Sequence, residues 1–181
     1  MVEKVLKFPN RRQFSNYDCG VIVIQDVLAY YGIDVREDKL IEMLDTDKEG
    51  TDPDKIISIA KKYGLKVNDG KATIEKIKES IDRKYPVIVV LQAWSKDNEE
   101  KDDWEEEWGE GHYAVAIGYT DDKIIFEDPS SVKRVYLTNE DFMKRWHDVD
   151  KYGNEFMNYA IIIWGKKPKY LEIEKNVEKV E

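Results

Sequence analysis

The only cysteine of the chain, Cys19, has neighbours that could activate it as a nucleophile. Asp18 is a good N-cap and an apolar run with helical spacing follows Gly20, so the pattern predicts Cys19 in the first turn of a helix. There the helix dipole and free backbone N–H groups favour a thiolate. The N–H of Cys19 and the amide of Gln13, six residues upstream, could form an oxyanion hole. The alternatives are a small hydrophobic role for Cys19 and a polar surface role for Gln13.

A nucleophilic cysteine needs a base, and the chain has two histidines. His112 opens an apolar segment directly after Gly111, where a loop meets a predicted strand. Its alternative role is that of a satisfied core histidine. His147 lies in the charged stretch "KRWHDVD", which is typical of a surface or capping histidine. His112 is therefore the candidate base.

A carboxylate that could orient this histidine ends the next predicted strand. Asp128 closes "KIIFED", and only "TDD" separates that strand from the strand of His112. A three-residue loop would pair Tyr119 with Lys123 and place His112 and Asp128 on one face, within hydrogen-bond reach. A two-residue loop would place them on opposite faces. In the paired arrangement Asp128 would stabilise the imidazolium of His112, and its alternative role is that of a turn residue before a proline.

The elements that must position these residues fall into a helical first half and a sheet-forming second half. Helices are predicted at residues 18–31, 36–44, 52–64, 73–85 and 139–149. Strands are predicted at residues 86–94, 112–120, 123–128, 134–138 and 158–165. The pattern predicts an α+β fold with an antiparallel sheet. We expect one domain over residues 1–165, with a helical lobe at about 10–85, a sheet lobe at about 86–165, and a charged tail at 166–181.

Hydrophobic content, net charge and cysteine count disfavour several classes of partner and site. With 41% hydrophobic residues in 181, the chain can bury a sizeable core. A net charge of −9 disfavours nucleic acid and anionic membranes as partners. No apolar run reaches the length of a membrane span, and a single cysteine excludes an internal disulfide and argues against a cysteine-based metal site. We expect a cytoplasmic protein without a cofactor.

One segment, residues 96–111, is strongly acidic, with nine acidic residues and two lysines. Trp94 flanks it, and Trp104 and Trp108 interrupt it. One interpretation is a solvated loop whose tryptophans pack on the sheet. Another is a lid that selects basic or amine-bearing substrates. A third, a divalent-cation site, lacks any calcium-loop spacing.

Three motifs in order resemble peptidase family C39, whose members are papain-like cysteine peptidases that process double-glycine leader peptides of bacteriocins, together with stand-alone relatives. The first motif is "QFSNYDCG" at residues 13–20. The second is "GTDPDKIISIAKKYGLKV" at 50–67, and the third is "GHYAVAIGYTDDKIIFEDP" at 111–129. The resemblance covers roughly residues 10–165.

The resemblance implies a role for each candidate residue. Cys19 would be the nucleophile, His112 the general base and acid, and Asp128 the orienting residue. Gln13 would complete the oxyanion hole with the Cys19 N–H. The resemblance also implies a papain-like two-lobed fold with a peptide or protein substrate in the cleft. Acyl transfer by the same triad, and a papain-like module that binds peptides without turnover, are the alternatives to hydrolysis.

Overall fold

The computed structural model describes residues 4–94 and 103–169 and the backbone of residues 177–179. Within these residues the helices lie where the sequence predicts them. They are α1 (Cys19–Tyr30), α2 (Glu37–Leu44), α3 (Pro53–Lys62), α4 (Ile74–Asp82) and α5 (Asn139–Arg145). Local signals explain two of the starts. Pro53 occupies the first turn of α3, and the Thr73 hydroxyl accepts a hydrogen bond from the Lys76 N–H at the start of α4.

The strands form one large, mostly antiparallel sheet and one small hairpin. They are β1 (Lys4–Val5), β2 (Lys66–Lys71), β3 (Val87–Gln92), β4 (Gly111–Tyr119), β5 (Lys123–Glu127), β6 (Arg134–Thr138), β7 (His147–Val149), β8 (Glu155–Met157), β9 (Tyr159–Trp164) and β10 (Val177–Lys179). The large sheet has the order β10-β6-β5-β4-β3-β9-β2, with β1 paired to β4. β10 runs parallel to β6, and β7 and β8 pair with each other. The α+β prediction is therefore confirmed.

The sheet separates two hydrophobic cores. On one face, α1, α2 and α3 pack against a set that includes Ile88, Val90 and Val115. On the other face, α4 and α5 pack against a set that includes Val89 and Ala114. Alternate side chains of β3 and β4 thus enter opposite cores, which explains why these strands are apolar almost throughout. The helix that carries Cys19 lies on the first of these faces.

The helix predicted at 139–149 ends earlier, at Arg145, and His147 begins β7. Trp146 leaves the helical conformation, is fully buried, and donates its indole N–H to the Tyr159 carbonyl at 2.9 Å. Burial of this large ring redirects the chain into the hairpin. The prediction of a surface or capping role for His147 is wrong, because its side chain is buried.

Two predicted segments lie only partly within the described residues. Of the tail at 166–181, the Lys169 N–H donates to the Tyr30 carbonyl at 2.8 Å, and 177–179 pair with β6. Residues 170–176 and 180–181 of the tail lie outside the described residues, as does the part of the acidic segment before residue 103. In the portion of the chain that the structure describes, no helix combines the length and apolar character needed to cross a membrane.

Candidate active site

Cys19 is the first residue of α1, and its free thiol is 7% exposed. The next residue packs against the loop before α3. A Cβ on Gly20 would lie 2.7 Å from Thr51 Cβ, and the Tyr113 hydroxyl donates to the Thr51 carbonyl at 2.9 Å. The start of α1 is thus held between this loop and β4, and only glycine fits beside Cys19.

Asp18 occupies the predicted N-cap position, but its carboxylate does not cap the helix. It accepts a hydrogen bond from the Ser15 N–H at 3.1 Å, which closes the loop that leads into α1. The first N–H groups of α1 therefore carry no side-chain cap, and they point toward the position of Cys19. Such N–H groups stabilise negative charge at a helix start.

The turn between β4 and β5 is the two-residue alternative of the two that the sequence permits. The Thr120 N–H donates to the Lys123 carbonyl at 3.0 Å, and Tyr119 pairs with Ile124. Tyr119 therefore does not lie opposite Lys123. Continued along the strands, this register would place His112 and Asp128 on opposite faces.

A β-bulge in β4 shifts the register between β4 and β5 by one residue. The pairing of β4 with β5 shifts between residues 116 and 118, so Ile117 is an extra residue, and beyond it Val115 pairs with Glu127. This second register is the one that a three-residue loop would have given. It brings His112 and Asp128 to the same face, and His112 Nε2 lies 2.9 Å from Asp128 Oδ1.

Asp128 is a fully satisfied buried carboxylate. Besides His112, it accepts hydrogen bonds from the Ser130 N–H at 2.7 Å and from the Trp94 indole N–H at 2.9 Å. Trp94 has a φ of 59°, in the left-handed region that side chains rarely adopt. Its backbone is therefore held in an unfavourable conformation that delivers the indole N–H to Asp128.

His112 interacts with both Asp128 and Cys19. Burial by itself would lower the pKa of His112, but the charge of Asp128, their hydrogen bond and the hydrogen bond with Cys19 raise it to about 10. Burial likewise raises the pKa of Asp128, but the charge of His112 and the hydrogen bonds from His112, Ser130 and Trp94 lower it overall. Since Asp128 holds Nε2, Nδ1 is the ring nitrogen left to face the thiol. This geometry favours a charged imidazolium beside the Asp128 carboxylate.

Gln13 lies on a segment that runs beside Asp128. Its N–H donates to the Pro129 carbonyl at 3.1 Å, and Arg12 donates to the Asp128 carbonyl at 3.2 Å. The Gln13 side-chain amide donates to the Ser15 carbonyl at 2.8 Å, and its oxygen is buried without a partner among the described residues. One of the two amide hydrogens of Gln13 is therefore committed to the loop before Cys19.

An open cleft of about 390 Å³ lies beside the thiol and the imidazole. Its lining includes Cys19, His112 and Tyr113, but neither Gln13 nor Asp128 is among the described lining residues. Its charged lining residues are four carboxylates and two lysines: Glu49, Asp52, Asp148, Asp150, Lys48 and Lys151. Carboxylates thus outnumber lysines on the cleft wall.

The described part of the acidic segment packs on the protein. Trp104 is 7% exposed and lies under the Arg145 guanidinium at 3.8 Å, and the Trp108 ring lies 4.5 Å from the His147 ring. His147 Nε2 lies 2.7 Å from the Glu107 carbonyl oxygen. Trp108 also lines the cleft. Trp104 therefore packs on the end of α5, and Trp108 packs on the start of β7. Within the described ranges, no group of three or more His, Cys, Asp or Glu side chains is placed to hold a metal ion.

Sequence reasoning missed two polar contacts of the site. In the sequence Trp94 only flanks the acidic segment, and no sequence pattern predicts its hydrogen bond to Asp128. Asp148, which lines the cleft, falls in a stretch that the sequence assigns to a helix. Its position depends on the early end of α5 and on β7, and thus on tertiary contacts.

A family comparison agrees with this geometry. The model of the Peptidase C39 family matches residues 7–150, a range that contains Cys19, His112 and Asp128. The chain belongs to the Peptidase C39 family. The resemblance inferred from the three sequence motifs is therefore confirmed.

The similar curated proteins are much longer than this C39 chain. It is 26% identical over 146 residues to the SPbeta prophage-derived sublancin-168-processing and transport ATP-binding protein SunT of Bacillus subtilis (strain 168), covering 80% of this chain and 19% of that protein. It is 24% identical over 138 residues to the pediocin PA-1 transport/processing ATP-binding protein PedD of Pediococcus acidilactici, covering 76% and 17%. The chain thus spans about a fifth of the length of these relatives.

Solved structures share the fold. The peptidase domain of Streptococcus ComA, a bi-functional ABC transporter, is 26% identical, with a TM-score of 0.64 over 90% of this chain and 98% of that one. A double glycine motif protease from an AMS/PCAT transporter, solved in complex with the leader peptide, is 20% identical, with a TM-score of 0.63 over 92% and 100%. The latter likeness concerns the fold alone. Together they identify the papain-like fold of C39 peptidase domains.

Proposed function

We propose that this C39 chain is a cysteine peptidase that hydrolyses a peptide bond through Cys19, His112 and Asp128. The observation that carries the proposal is the position of His112. Its ring is hydrogen-bonded between the Cys19 side chain and the Asp128 carboxylate, beside an open cleft. A nucleophile, a base and a group that orients the base are the three parts of a covalent acyl-transfer mechanism.

The proposed reaction has two halves, acylation and deacylation, and Cys19 and His112 act once in each. The Cys19 thiolate attacks the carbonyl carbon of the scissile bond, and the imidazolium of His112 gives its proton to the leaving amine as the C–N bond breaks. Water then attacks the thioester, and His112 takes a proton from it while the sulfur leaves. Asp128 remains ionised throughout and stabilises the imidazolium. The products are a carboxylic acid, an amine and the regenerated thiolate–imidazolium pair.

The oxyanion of each tetrahedral intermediate would be stabilised at the start of α1. The Cys19 N–H lies at an uncapped helix start, where hydrogen-bond donors and the helix dipole favour an anion. We propose the Gln13 amide as the second donor. Its hydrogen bond to Ser15 holds the side chain on the loop before Cys19 and leaves one amide hydrogen to donate.

The proposed substrate is a peptide or protein segment that enters the cleft. The cleft is open and is bordered by both Cys19 and His112. The names of the relatives SunT and PedD describe processing of sublancin-168 and of pediocin PA-1 together with transport, which supports a processing role here. We also propose that residues 1–165 act as one domain, because both cores are built on the same sheet.

The two histidines of the chain allow a matched test. We expect iodoacetamide to alkylate Cys19 of the wild-type protein near pH 6 and a peptide library to yield cleavage products. Substitution His112→Gln removes the base, and because general acid–base catalysis contributes about 10²–10⁴-fold, hydrolysis should fall by at least about a hundredfold. His147→Gln alters a buried histidine that does not contact the thiol and should retain hydrolysis.

Three outcomes would contradict the proposal. They are resistance of Cys19 to alkylation, equal activity of the two histidine variants, and full activity of Cys19→Ala. Mass spectrometry of the products with and without an added amine distinguishes hydrolysis from acyl transfer, since a transferase would form the amide of that amine.

A further inference from the structure

Asp148 is a carboxylate of the cleft wall that the proposed reaction does not use. It lies on β7 and lines the cleft together with Cys19 and His112. A Cβ on Gly111 would lie 2.5 Å from Asp148 Oδ1, so the carboxylate rests against the backbone directly before His112. Electrostatic interactions with Asp148 and with Cys19 both contribute to the raised pKa of the buried Tyr113 hydroxyl, so both residues lie near that group. The carboxylate therefore belongs to the immediate surroundings of the reacting groups.

Gln92 fixes the position of this carboxylate. The Gln92 side chain is fully buried, and its amide nitrogen donates to Asp148 Oδ1 at 3.0 Å and to the His147 carbonyl at 3.1 Å. Its amide oxygen accepts the Glu110 N–H at 2.8 Å. Both amide hydrogens and the oxygen are thus used, which leaves the amide a single orientation. A carboxylate held in this way is preorganised for a ligand.

The hydrogen-bond donors to Asp148 among the described residues are neutral. They are the Gln92 amide and the Val149 N–H. Burial raises the pKa of Asp148, and the charges of His147 and His112 offset this only in part. Of the two cleft lysines, Lys151 is already paired with Asp47 at 3.2 Å. A cation that enters the cleft would restore the favourable interactions that Asp148 loses on burial.

We propose that Asp148 binds a cationic group of the substrate, namely a lysine or arginine side chain or an amino terminus, beside the scissile bond. The inference rests on the proposed function, because it takes Cys19 as the attacking group. The basic selectivity first considered for the acidic segment 96–111 is thereby assigned to a specific side chain.

The test measures the charge preference of Cys19 with small thiol reagents of matched size. Three methanethiosulfonates, carrying a trimethylammonium group, a sulfonate group or no charge, each form a disulfide with the Cys19 sulfur and release methanesulfinate. The neutral reagent corrects for changes in the thiol itself. We expect the cationic reagent to react faster than the anionic one with wild-type protein, and the ratio to fall about tenfold in Asp148→Asn, as expected for loss of one charge a few ångströms away.

Asp150→Asn is the matched control. Asp150 also lines the cleft, but its carboxylate accepts the N–H groups of Tyr152 and Asn154 within its own turn. Asp150→Asn should leave the ratio of the cationic to the anionic reaction rate largely unchanged. A second readout is protection of Cys19 from the neutral reagent by acetyl-Ala-Lys-Ala-amide and by its norleucine counterpart. The lysine peptide should protect better in the wild type and equally in Asp148→Asn.

The outcomes separate the two proposals. If Cys19 reacts with none of the reagents, the proposed function fails together with this inference. If Cys19 reacts but shows no charge preference, or if Asp148→Asn and Asp150→Asn reduce the ratio equally, only the assignment to Asp148 is overturned. Peptide hydrolysis is not needed for either measurement.

Discussion

Trp94 shows how one side chain can control the protonation of the site. Its indole N–H is one of three donors to Asp128, and its hydrogen bond helps to lower the pKa of that carboxyl group. Asp128 must be ionised to hold His112. Loss of the Trp94 indole should therefore shift the acid limb of the profile of activity against pH.

We predict that Trp94→Phe keeps the ring but moves the acid limb of activity to higher pH. Without the indole donor the pKa of Asp128 rises, so the carboxylate is protonated earlier as the pH falls. A hydrogen bond to a charged group contributes about 1.5–3 kcal/mol, so a shift of roughly one pH unit is expected. The measurement is the rate of Cys19 alkylation or of hydrolysis between pH 4 and 8. Trp164→Phe, which alters a tryptophan stacked on Tyr85, should leave the limb in place.

The sequence was enough to bring the proposed catalytic residues together, but not to identify the residues that support them. Cys19, His112 and Asp128 are residue types that do chemistry, and each stands at the end of a recognisable element. Gln92 and Asp148 are ordinary polar residues that meet only in the folded chain. A contact between two such side chains leaves no periodicity or spacing in the sequence.

At the scale of elements, the start of α1 depends on close approach to the loop before α3. We predict that Gly20→Ala destabilises the protein by about 1–3 kcal/mol, because its Cβ would lie 2.7 Å from Thr51 Cβ. Since the clash displaces the first turn of α1, hydrolysis should fall as well. Urea unfolding and activity assays provide the two measurements.

A second substitution tests this explanation. Thr51→Gly removes the atoms that a Cβ on residue 20 would meet, so Gly20→Ala combined with Thr51→Gly should recover part of the stability lost in Gly20→Ala alone. Simple additivity of the two destabilising changes would contradict a direct clash and would indicate independent effects.

Elements with strong local signals were predicted well, and those defined by distant partners were not. Helix α3 begins with Pro53, α4 begins with the Thr73 cap, and both have apolar periodicity. Strands β3 and β9 are rich in β-branched residues. Strand β2, "KVNDGK", is largely polar and becomes a strand because it pairs with β9. The bulge at Ile117 lies beside Gly118, and a glycine within a strand is a local sign of a bulge that does not by itself define the register.

At the scale of the whole molecule, the His112–Asp128 pair links stability to pH. The pKa of His112 is about 10 in the folded protein and near 6.5 without its partners. A group whose pKa is raised by folding contributes its full stabilisation below the unfolded pKa, and the contribution is lost as the pH rises through the folded pKa. For His112 this window lies between about pH 6.5 and 10.

We predict that the stability difference between wild type and Asp128→Asn is largest near pH 6 and shrinks toward pH 10. The pH-dependent part should be on the order of 3 kcal/mol, measured by urea unfolding at several pH values. Asp82→Asn is a suitable control. Asp82 pairs with Lys4, whose pKa is raised, so this lysine keeps its charge over the same range. A difference that does not change with pH would show that His112 is not charged in the folded protein.

The pairing of β2 with β9 affects when, during synthesis and folding, the proposed active site becomes complete. Residues 66–71 pair with residues 159–164, so the sheet is completed only by contacts between distant parts of the chain. Such contacts form late, because the loop they close costs entropy first. During synthesis the segment with Cys19 emerges long before His112, Asp128 and β9. We therefore expect the nascent chain to carry an unreactive thiol until the sheet closes, so that proteolytic activity arises only after most of the chain has folded.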